Sequence, residues 1–171
     1  PHEQIKDAYV MIEDGKIKDF GRGKGKEIPK DAIEIDARDK IVVPGFIDIH
    51  IHGGGGYASI TGGFGNFKSS PEEVSKFCAR HGTTSFLATT EMVSRDTLLK
   101  AASEIKRYVG KEVPGAEILG LHMEGPYINP KKLGAAREEF LRNPDIEEYD
   151  EIMERSSDAV KLITLAPELP G

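Results

Sequence analysis

The sequence has a single cysteine, Cys78, which excludes a disulfide within the chain and fits a reducing compartment, so we expect a cytoplasmic protein. It has no apolar run long enough to cross a membrane and no recognisable signal peptide, so no membrane partner is expected. It also has no basic face to offset a net charge of −6, which argues against nucleic acid as a partner. The first residue is Pro1 and not a methionine, so we expect either processing or a missing start.

What is present is the composition of a folded protein. Of the 171 residues, 38% are apolar and 30% are charged, so a packed core is feasible and wholesale disorder is not expected. A chain of this length holds one domain, or a small domain together with part of a larger one.

One stretch, residues 41–56, organises the prediction for the rest of the chain. It begins with an apolar run that predicts a buried strand, and it then alternates strictly between apolar and polar side chains. Alternation puts Asp48, His50 and His52 on one face, with the two imidazoles about 7 Å apart, a spacing that suits two ligands of one metal ion. The alternative is a pair of hydrogen-bonded, inert histidines. Four glycines end the stretch and allow a sharp turn and the close approach of a ligand.

The order of the predicted elements indicates an α/β fold. An Asp-Gly turn joins two of the early strands into a hairpin, and from residue 41 onward strands and helices alternate with crossovers long enough for parallel pairing. Two architectures fit this order, an open doubly wound sheet and the first half of a (β/α)₈ barrel; in both, ligands gather at the carboxyl ends of the strands. Besides the strand in 41–56, strands are predicted at 7–13, 16–20, 32–36, 83–90, 118–124 and 159–165.

Three helices are predicted between these strands, and their signals are local. The first starts at Ser70, with Glu73 closing a capping box, and Cys78 lies at one of its apolar positions and is interpreted as core and not as a nucleophile. His81 ends this helix as a cap favoured by the helix dipole. The third helix is predicted to start at Asn143-Pro144, with four residues facing inward: Ile146, Tyr149, Ile152 and Met153.

A second polar constellation lies on the strand predicted at 118–124. His122 and Glu124 share one face, and Glu124 stands at the carboxyl end of this buried strand, just before Gly-Pro interrupts it. An ionised carboxylate there is costly unless it is paired or bound to a cation, so Glu124 is predicted to join His50 and His52 around a divalent ion. The alternative is a salt bridge to Lys131 or Lys132. The spacing leaves His122 open as a ligand, an outer donor or a substrate contact.

Together these motifs resemble the N-acetylglucosamine-6-phosphate deacetylases of the amidohydrolase superfamily. The Pro-Gly-Phe-Ile-Asp-x-His-x-His part marks only the superfamily, whereas His-x-Glu-Gly-Pro is much more specific to the deacetylases. The resemblance covers nearly the whole chain, but the chain covers only about half of the family's length. It rests on Pro-Gly-Phe-Ile-Asp-Ile-His-Ile-His-Gly at 44–53, His-Gly-Thr-Thr at 81–84, Leu-His-Met-Glu-Gly-Pro-Tyr-Ile-Asn at 121–129 and Thr-Leu-Ala-Pro-Glu at 164–168.

The resemblance implies that residues 1–40 are part of a small β-sandwich and that residues 41–171 are the N-terminal half of a (β/α)₈ barrel. It implies that Glu124 binds the main metal ion, while His50 and His52 bind a second ion or shape the site. The cofactor would be one or two divalent ions of zinc, iron, manganese or cobalt. The implied reaction is hydrolysis of the acetamide of an amino-sugar phosphate, which releases acetate and glucosamine 6-phosphate. A dimer is expected for the full-length protein.

The same resemblance also defines departures from the family. Two later histidine ligands and the catalytic aspartate are expected beyond Gly171, so no catalytic residue is assigned within this chain, and the chain alone is expected to have no turnover. After the Glu-Gly-Pro segment the family usually has Lys-Gly-Ala-His, but residues 133–136 here are Leu-Gly-Ala-Ala. Ala136 therefore takes the place of a substrate-contacting histidine. Ala135 and Ala136 are expected to contact the substrate through their backbones, and His122 is a third candidate for substrate binding.

Two other functions stay open from the sequence. One is a different amidohydrolase that acts on cyclic amides or other N-acyl groups. The other is a non-catalytic half barrel whose unpaired strand edges drive self-association or partner binding.

Overall fold

The computed structural model describes residues 3–25, 28–63 and 65–171. The chain folds as two compact units, Pro1–Val43 and Pro44–Gly171. None of the helices in the described ranges combines the length and the apolar character that a membrane span requires.

The first unit contains one β-hairpin, as predicted. Strand β1 (Ala8–Glu13) pairs antiparallel with β2 (Lys16–Arg22). Asp14 and Gly15 join them with φ values of 52° and 71°, because a two-residue hairpin turn needs the left-handed region at both positions. The Tyr9 hydroxyl donates to Asp19 across the pair at 2.6 Å. That this unit belongs to a β-sandwich stays a prediction.

The prediction of a strand at 32–36 is wrong. These residues have no regular structure, and Ile33 and Ile35 are almost fully exposed. Alternating apolar residues are necessary for a half-buried strand but not sufficient, since the backbone N–H and C=O groups also need a neighbouring strand. No such neighbour pairs with residues 32–36 in the part of the chain that the structure describes.

The second unit is a parallel four-stranded half-barrel sheet with helices between its strands, which confirms the predicted fold class. The strands are β3 (Phe46–Ile51), β6 (Thr83–Thr90), β7 (Glu117–Glu124) and β8 (Val160–Thr164), and they are ordered β3-β6-β7-β8. The helices are α1 (Pro71–Arg80), α2 (Arg95–Ile105) and α3 (Ile146–Ser156). The glycine loop forms a small hairpin of β4 (Gly53–Gly54) and β5 (Tyr57–Ala58), and short 3-10 turns lie at Pro130–Lys132 and Glu138–Phe140.

The core lies between the sheet and the helices. Its largest cluster joins α1 to the inner strands β6 and β7, and Cys78 belongs to it, which confirms that residue as core. A second cluster joins α2 and α3 to the carboxyl end of β7. Burial of a large apolar side chain contributes about 1.5–3 kcal/mol, so these clusters hold β7 and its last residues firmly in place. Residues in the first cluster that are at most 2% exposed include Val74, Cys78, Phe86, Ile118 and Leu121.

Two predicted helix starts need correction. Ser70 precedes α1, but its side chain makes no capping bond, and its amide donates to the Ala58 carbonyl at 3.0 Å. Glu73 pairs with Lys76 at 2.7 Å, so the predicted capping box is wrong. Helix α3 starts at Ile146 and not at 143–144, since the Asp145 carboxylate accepts two amides of its first turn. Ile146, predicted to face inward, is 71% exposed.

Strand β3 is an edge strand, which corrects the prediction of a buried strand from residue 41. It begins at Phe46, pairs with β6 on one side and has no strand on the other within the described residues. Ile47 and Ile49 are therefore 65% and 56% exposed. The strict alternation is also interrupted, because the β3–β6 register shifts between Asp48 and Ile51.

Candidate metal centre

The carboxyl ends of β3 and β7 bring the predicted metal ligands together. His50 is the penultimate residue of β3, His52 is the first residue after this strand, and Glu124 is the last residue of β7. One ligand atom of each residue lies within 4.8 Å of the others. The sheet order explains this approach, because only β6 separates β3 from β7 and parallel strands end at the same edge.

Two nitrogen–oxygen distances define the group. Nε2 of His52 lies 3.1 Å from Oε2 of Glu124, and Nε2 of His50 lies 3.9 Å from Oε1 of the same carboxylate. The two imidazoles meet edge to face, with ring centroids 4.9 Å apart. Among the described residues no ion pair joins Glu124 to Lys131 or Lys132, the alternative partners that the sequence left open.

This donor set fits a divalent transition-metal ion. Nitrogen and oxygen ligands at about 2.0–2.2 Å from one ion lie about 3–4 Å from each other, close to the separations between Glu124 and the two histidines. Nδ1 of His52 is buried without a hydrogen-bond partner among the described residues, so Nε2 is the polar atom through which this ring is satisfied. His50 is exposed and the other two side chains are half-buried, which leaves room for further ligands.

His122 lies behind His50 and not in the ligand group. Its Nδ1 is 3.0 Å from the Ile49 carbonyl oxygen, which can only accept, so Nδ1 carries the proton. Nε2 then accepts from the Thr164 hydroxyl at 2.8 Å. Burial, and secondly the nearby His50, lower the pKa of His122, which keeps the ring neutral. Both ring nitrogens thus have partners within the protein, and Nδ1 also lies 3.2 Å from Nδ1 of His50.

Three further residues from the sequence analysis lie outside the group of His50, His52 and Glu124. Ala135 and Ala136 belong to the loop that leaves the carboxyl end of β7, in a turn where the Ala136 amide donates to the Leu133 carbonyl at 3.2 Å. Their backbone contact with a substrate stays a prediction. Asp48, which alternation placed beside the histidines, instead accepts from the His50 amide through its carboxylate at 3.0 Å.

The glycine loop leaves open space next to His52. A cavity of about 270 Å³ is lined by His52, three loop glycines, Tyr57 and Phe67. The hairpin that forms it depends on glycine, since a Cβ at Gly53 would lie 2.2 Å from the Tyr57 carbonyl oxygen and one at Gly54 would lie 2.4 Å from the Phe77 ring.

The sequence offered no signal for three hydroxyl residues that surround this group. Thr164 holds His122, and the buried side chains of Ser59 and Thr89 contact the end of β3. Single serines and threonines at strand ends are common, and only the contacts between distant strands distinguish these three.

Comparison with known proteins relates this geometry to one family. Residues 41–171 match the model described as the amidohydrolase family. The chain is 38% identical over 170 residues to an N-acetylglucosamine-6-phosphate deacetylase of Bacillus subtilis, covering 98% of this chain and 42% of that protein. It is 31% identical over 170 residues to an N-acetylgalactosamine-6-phosphate deacetylase of Escherichia coli, covering 98% and 41%.

Solved structures agree with the sequence relatives. The crystal structure of N-acetyl-D-glucosamine-6-phosphate deacetylase from Mycobacterium smegmatis matches with a TM-score of 0.77 and 25% identity, covering 99% of this chain and 45% of that one. The crystal structure of N-acetylglucosamine-6-phosphate deacetylase from Thermotoga maritima matches with a TM-score of 0.70 and 32% identity, covering 94% of this chain and 38% of that one. The chain therefore spans less than half the length of the relatives it matches.

Proposed function

Because the chain belongs to the amidohydrolase family, we propose that it forms one wall of the metal centre in a deacetylase that hydrolyses N-acetylglucosamine 6-phosphate. The observation that carries the proposal is the convergence of His50, His52 and Glu124 at the carboxyl ends of parallel strands. Barrel enzymes place their chemistry at that end of the sheet. Further support comes from the relatives of Bacillus subtilis and Thermotoga maritima, whose names state this activity.

The proposed metal ligands are Nε2 of His50, Nε2 of His52 and the Glu124 carboxylate. A divalent ion held there would lower the pKa of a water molecule and polarise the acetamide carbonyl. The overall reaction adds water across the amide bond, so that the carbonyl carbon leaves as acetate and the nitrogen remains on the sugar as an amine. Zinc, iron, manganese and cobalt all suit this donor set, and one or two ions fit the proposal.

The other residues of the chain would orient the ligands and admit the substrate. Neutral His122 donates to the Ile49 carbonyl, which ties β7 to the backbone of β3 beside His50. The cavity next to His52 would receive the group that carries the acetamide. Substrate contacts from His122, Ala135 and Ala136 belong to the proposal, as do a dimeric whole protein and a cytoplasmic location.

A second candidate substrate is N-acetylgalactosamine 6-phosphate. The Escherichia coli relative is named for that sugar, which differs from N-acetylglucosamine only in the configuration of the C4 hydroxyl. Ala136 provides no side chain that can hydrogen-bond to a sugar hydroxyl, so both sugars are included in the proposal.

Acetate release by the whole protein tests the proposal. The purified whole protein is loaded in turn with each of the four metals. Each form is then given four substrates: N-acetylglucosamine 6-phosphate, N-acetylgalactosamine 6-phosphate, unphosphorylated N-acetylglucosamine and a cyclic imide. We expect acetate from a sugar phosphate and almost none from Glu124→Gln. Preference for the cyclic imide would show a different amidohydrolase. The 171-residue chain by itself is expected to release no acetate, since β3 and β8 each have only one neighbouring strand among the described residues and the family resemblance implies further ligands on later strands.

A further inference from the structure

The main-chain ladder between β3 and β6 breaks at the metal ligands. On β3 the pairing passes from Asp48 to Ile51, while on β6 it passes only from Phe86 to Ala88, so β3 holds one residue more than its neighbour. The extra residue lies at 49–50, which includes His50. Such a bulge leaves backbone groups without ladder partners and redirects the side chains that follow it.

Two buried hydroxyl groups bond to the backbone of Ile51, the first paired residue after the bulge. The Ile51 amide donates to Oγ1 of Thr89 at 3.0 Å, and this hydroxyl donates to the Leu87 carbonyl at 3.2 Å. The Ser59 hydroxyl donates to the Ile51 carbonyl at 2.8 Å and accepts from the Thr89 amide at 3.2 Å. Every direction is fixed, because amides only donate and carbonyls only accept, so each hydroxyl gives one bond and receives one.

The same two residues also hold the next peptide. The Ser59 amide donates to the His52 carbonyl at 2.8 Å, so each of the three peptide groups that follow His50 is bonded to Ser59 or Thr89. Neither residue exposes any surface to solvent. The packing around them is tight, since a Cβ at Gly63 would lie 2.9 Å from the His52 carbonyl oxygen and 3.0 Å from that of Thr89.

We propose that Ser59 and Thr89 are positioning residues that fix the separation and direction of His50 and His52 for metal binding. The inference rests on the metal centre of the proposed function. Metal ligands must be held close to their bound geometry for tight binding, and loss of an outer hydrogen-bond partner typically costs about 10–100-fold in affinity. The hydroxyls act on the ligands through the backbone, without contacting the ion.

The test uses the purified whole protein. Its affinities for Co²⁺ and Zn²⁺ are measured by calorimetry, and the visible spectrum of the Co²⁺ form reports the geometry of the ligands. We expect Ser59→Ala and Thr89→Val each to weaken binding by about tenfold or more and to change the Co²⁺ spectrum. Thr89→Ser keeps the hydroxyl and is expected to restore both. Ser75→Ala is the matched control, because Ser75 is equally buried and its hydroxyl donates to the Ala116 carbonyl at 2.8 Å, outside the ligand group.

The outcomes separate the proposals. Thermal unfolding without metal measures the general cost of losing a buried hydroxyl, which we expect in Ser75→Ala as well. Equal metal affinity in wild type, Ser59→Ala and Thr89→Val would overturn the positioning role while leaving the metal centre intact. A parallel loss of affinity in Ser75→Ala would also overturn it, because the effect would then be one of stability. A wild-type protein that binds neither ion would overturn the metal centre and the positioning role together.

Discussion

Replacing Glu124 by glutamine separates metal binding from folding at this site. In the wild type, Nε2 of His52 lies 3.1 Å from Oε2 of Glu124. Glutamine keeps the size of the side chain and a carbonyl oxygen that can accept a hydrogen bond from this nitrogen. It removes the negative charge, which is the only charge that the three-residue group offers to a cation. We therefore expect the fold to survive and the metal affinity to fall by at least about 100-fold. Loss of a residue that only hydrogen-bonds to a metal ligand costs up to about 100-fold, and loss of a ligand itself should cost no less.

The assay is thermal unfolding with and without Zn²⁺ at a fixed free concentration of about 100 times the wild-type Kd. At that concentration binding stabilises the wild type by about 2.7 kcal/mol. For a chain of this size this corresponds to a rise in Tm of about 5–11 °C. A 100-fold weaker site is half occupied at the same concentration, so the stabilisation of Glu124→Gln falls to about 0.4 kcal/mol.

Glu117→Gln is the matched control. Glu117 is the first residue of the same strand, exposed and at the opposite end from the metal group. It should show the full wild-type shift. An undiminished shift in Glu124→Gln would refute the assignment of this carboxylate as a ligand, and a lost shift in Glu117→Gln would show that the ion binds elsewhere.

The remaining predictions concern the ion pair of Arg142 with Glu148, the pKa of Tyr127 and the packing of Gly54. Arg142→Met should destabilise the fold by about 3–5 kcal/mol in urea unfolding, because it leaves the buried Glu148 carboxylate without its bidentate partner, whereas Arg95→Met, in a more exposed pair, should cost about 0–1 kcal/mol. Burial, and then Glu148, raise the pKa of Tyr127 well above its ordinary value, so the folded state keeps a proton that the unfolded chain loses. Stability should therefore fall as the pH rises above about 10, and Tyr127→Phe should remove part of that fall. Gly54→Ala should displace the loop or cost about 1–3 kcal/mol, because its Cβ would meet the Phe77 ring at 2.4 Å; a stability equal to wild type with an unchanged metal shift would contradict that packing.

Elements with strong local signals were predicted closely. Strand β6 was predicted with the bounds that the structure gives it, because a run of β-branched and apolar residues follows the glycine that ends α1. His81 was predicted as a cap, and its ring contacts the Phe77 carbonyl at 2.8 Å. The errors arose where a distant partner decides the result. Residues 32–36 lack a neighbouring strand, and the Ser70 amide is held by Ala58.

The meeting of His50, His52 and Glu124 was predicted from two separate strand ends. His50, His52 and Glu124 follow from alternation and from the rule that carboxyl ends of parallel strands meet. The sequence favoured the two histidines over lysine as the neighbours of Glu124, and the structure agrees. The position of His122 beside His50 was not predictable, since it depends on a contact between two strands and not on sequence spacing. The bulge at 49–50 was also missed, because a register shift is a property of two strands and not of one.

The sequence by itself determined the order of strands and helices and the residue types at the strand ends. It did so because periodicity and capping act within a few residues of chain. The tertiary structure alone decided the order of the strands in the sheet, the bonds of Ser59 and Thr89 to the backbone after the bulge, and which nitrogen of each histidine faces Glu124. Those features depend on distances of a few ångströms between strands tens of residues apart, and only the packed sheet fixes such distances.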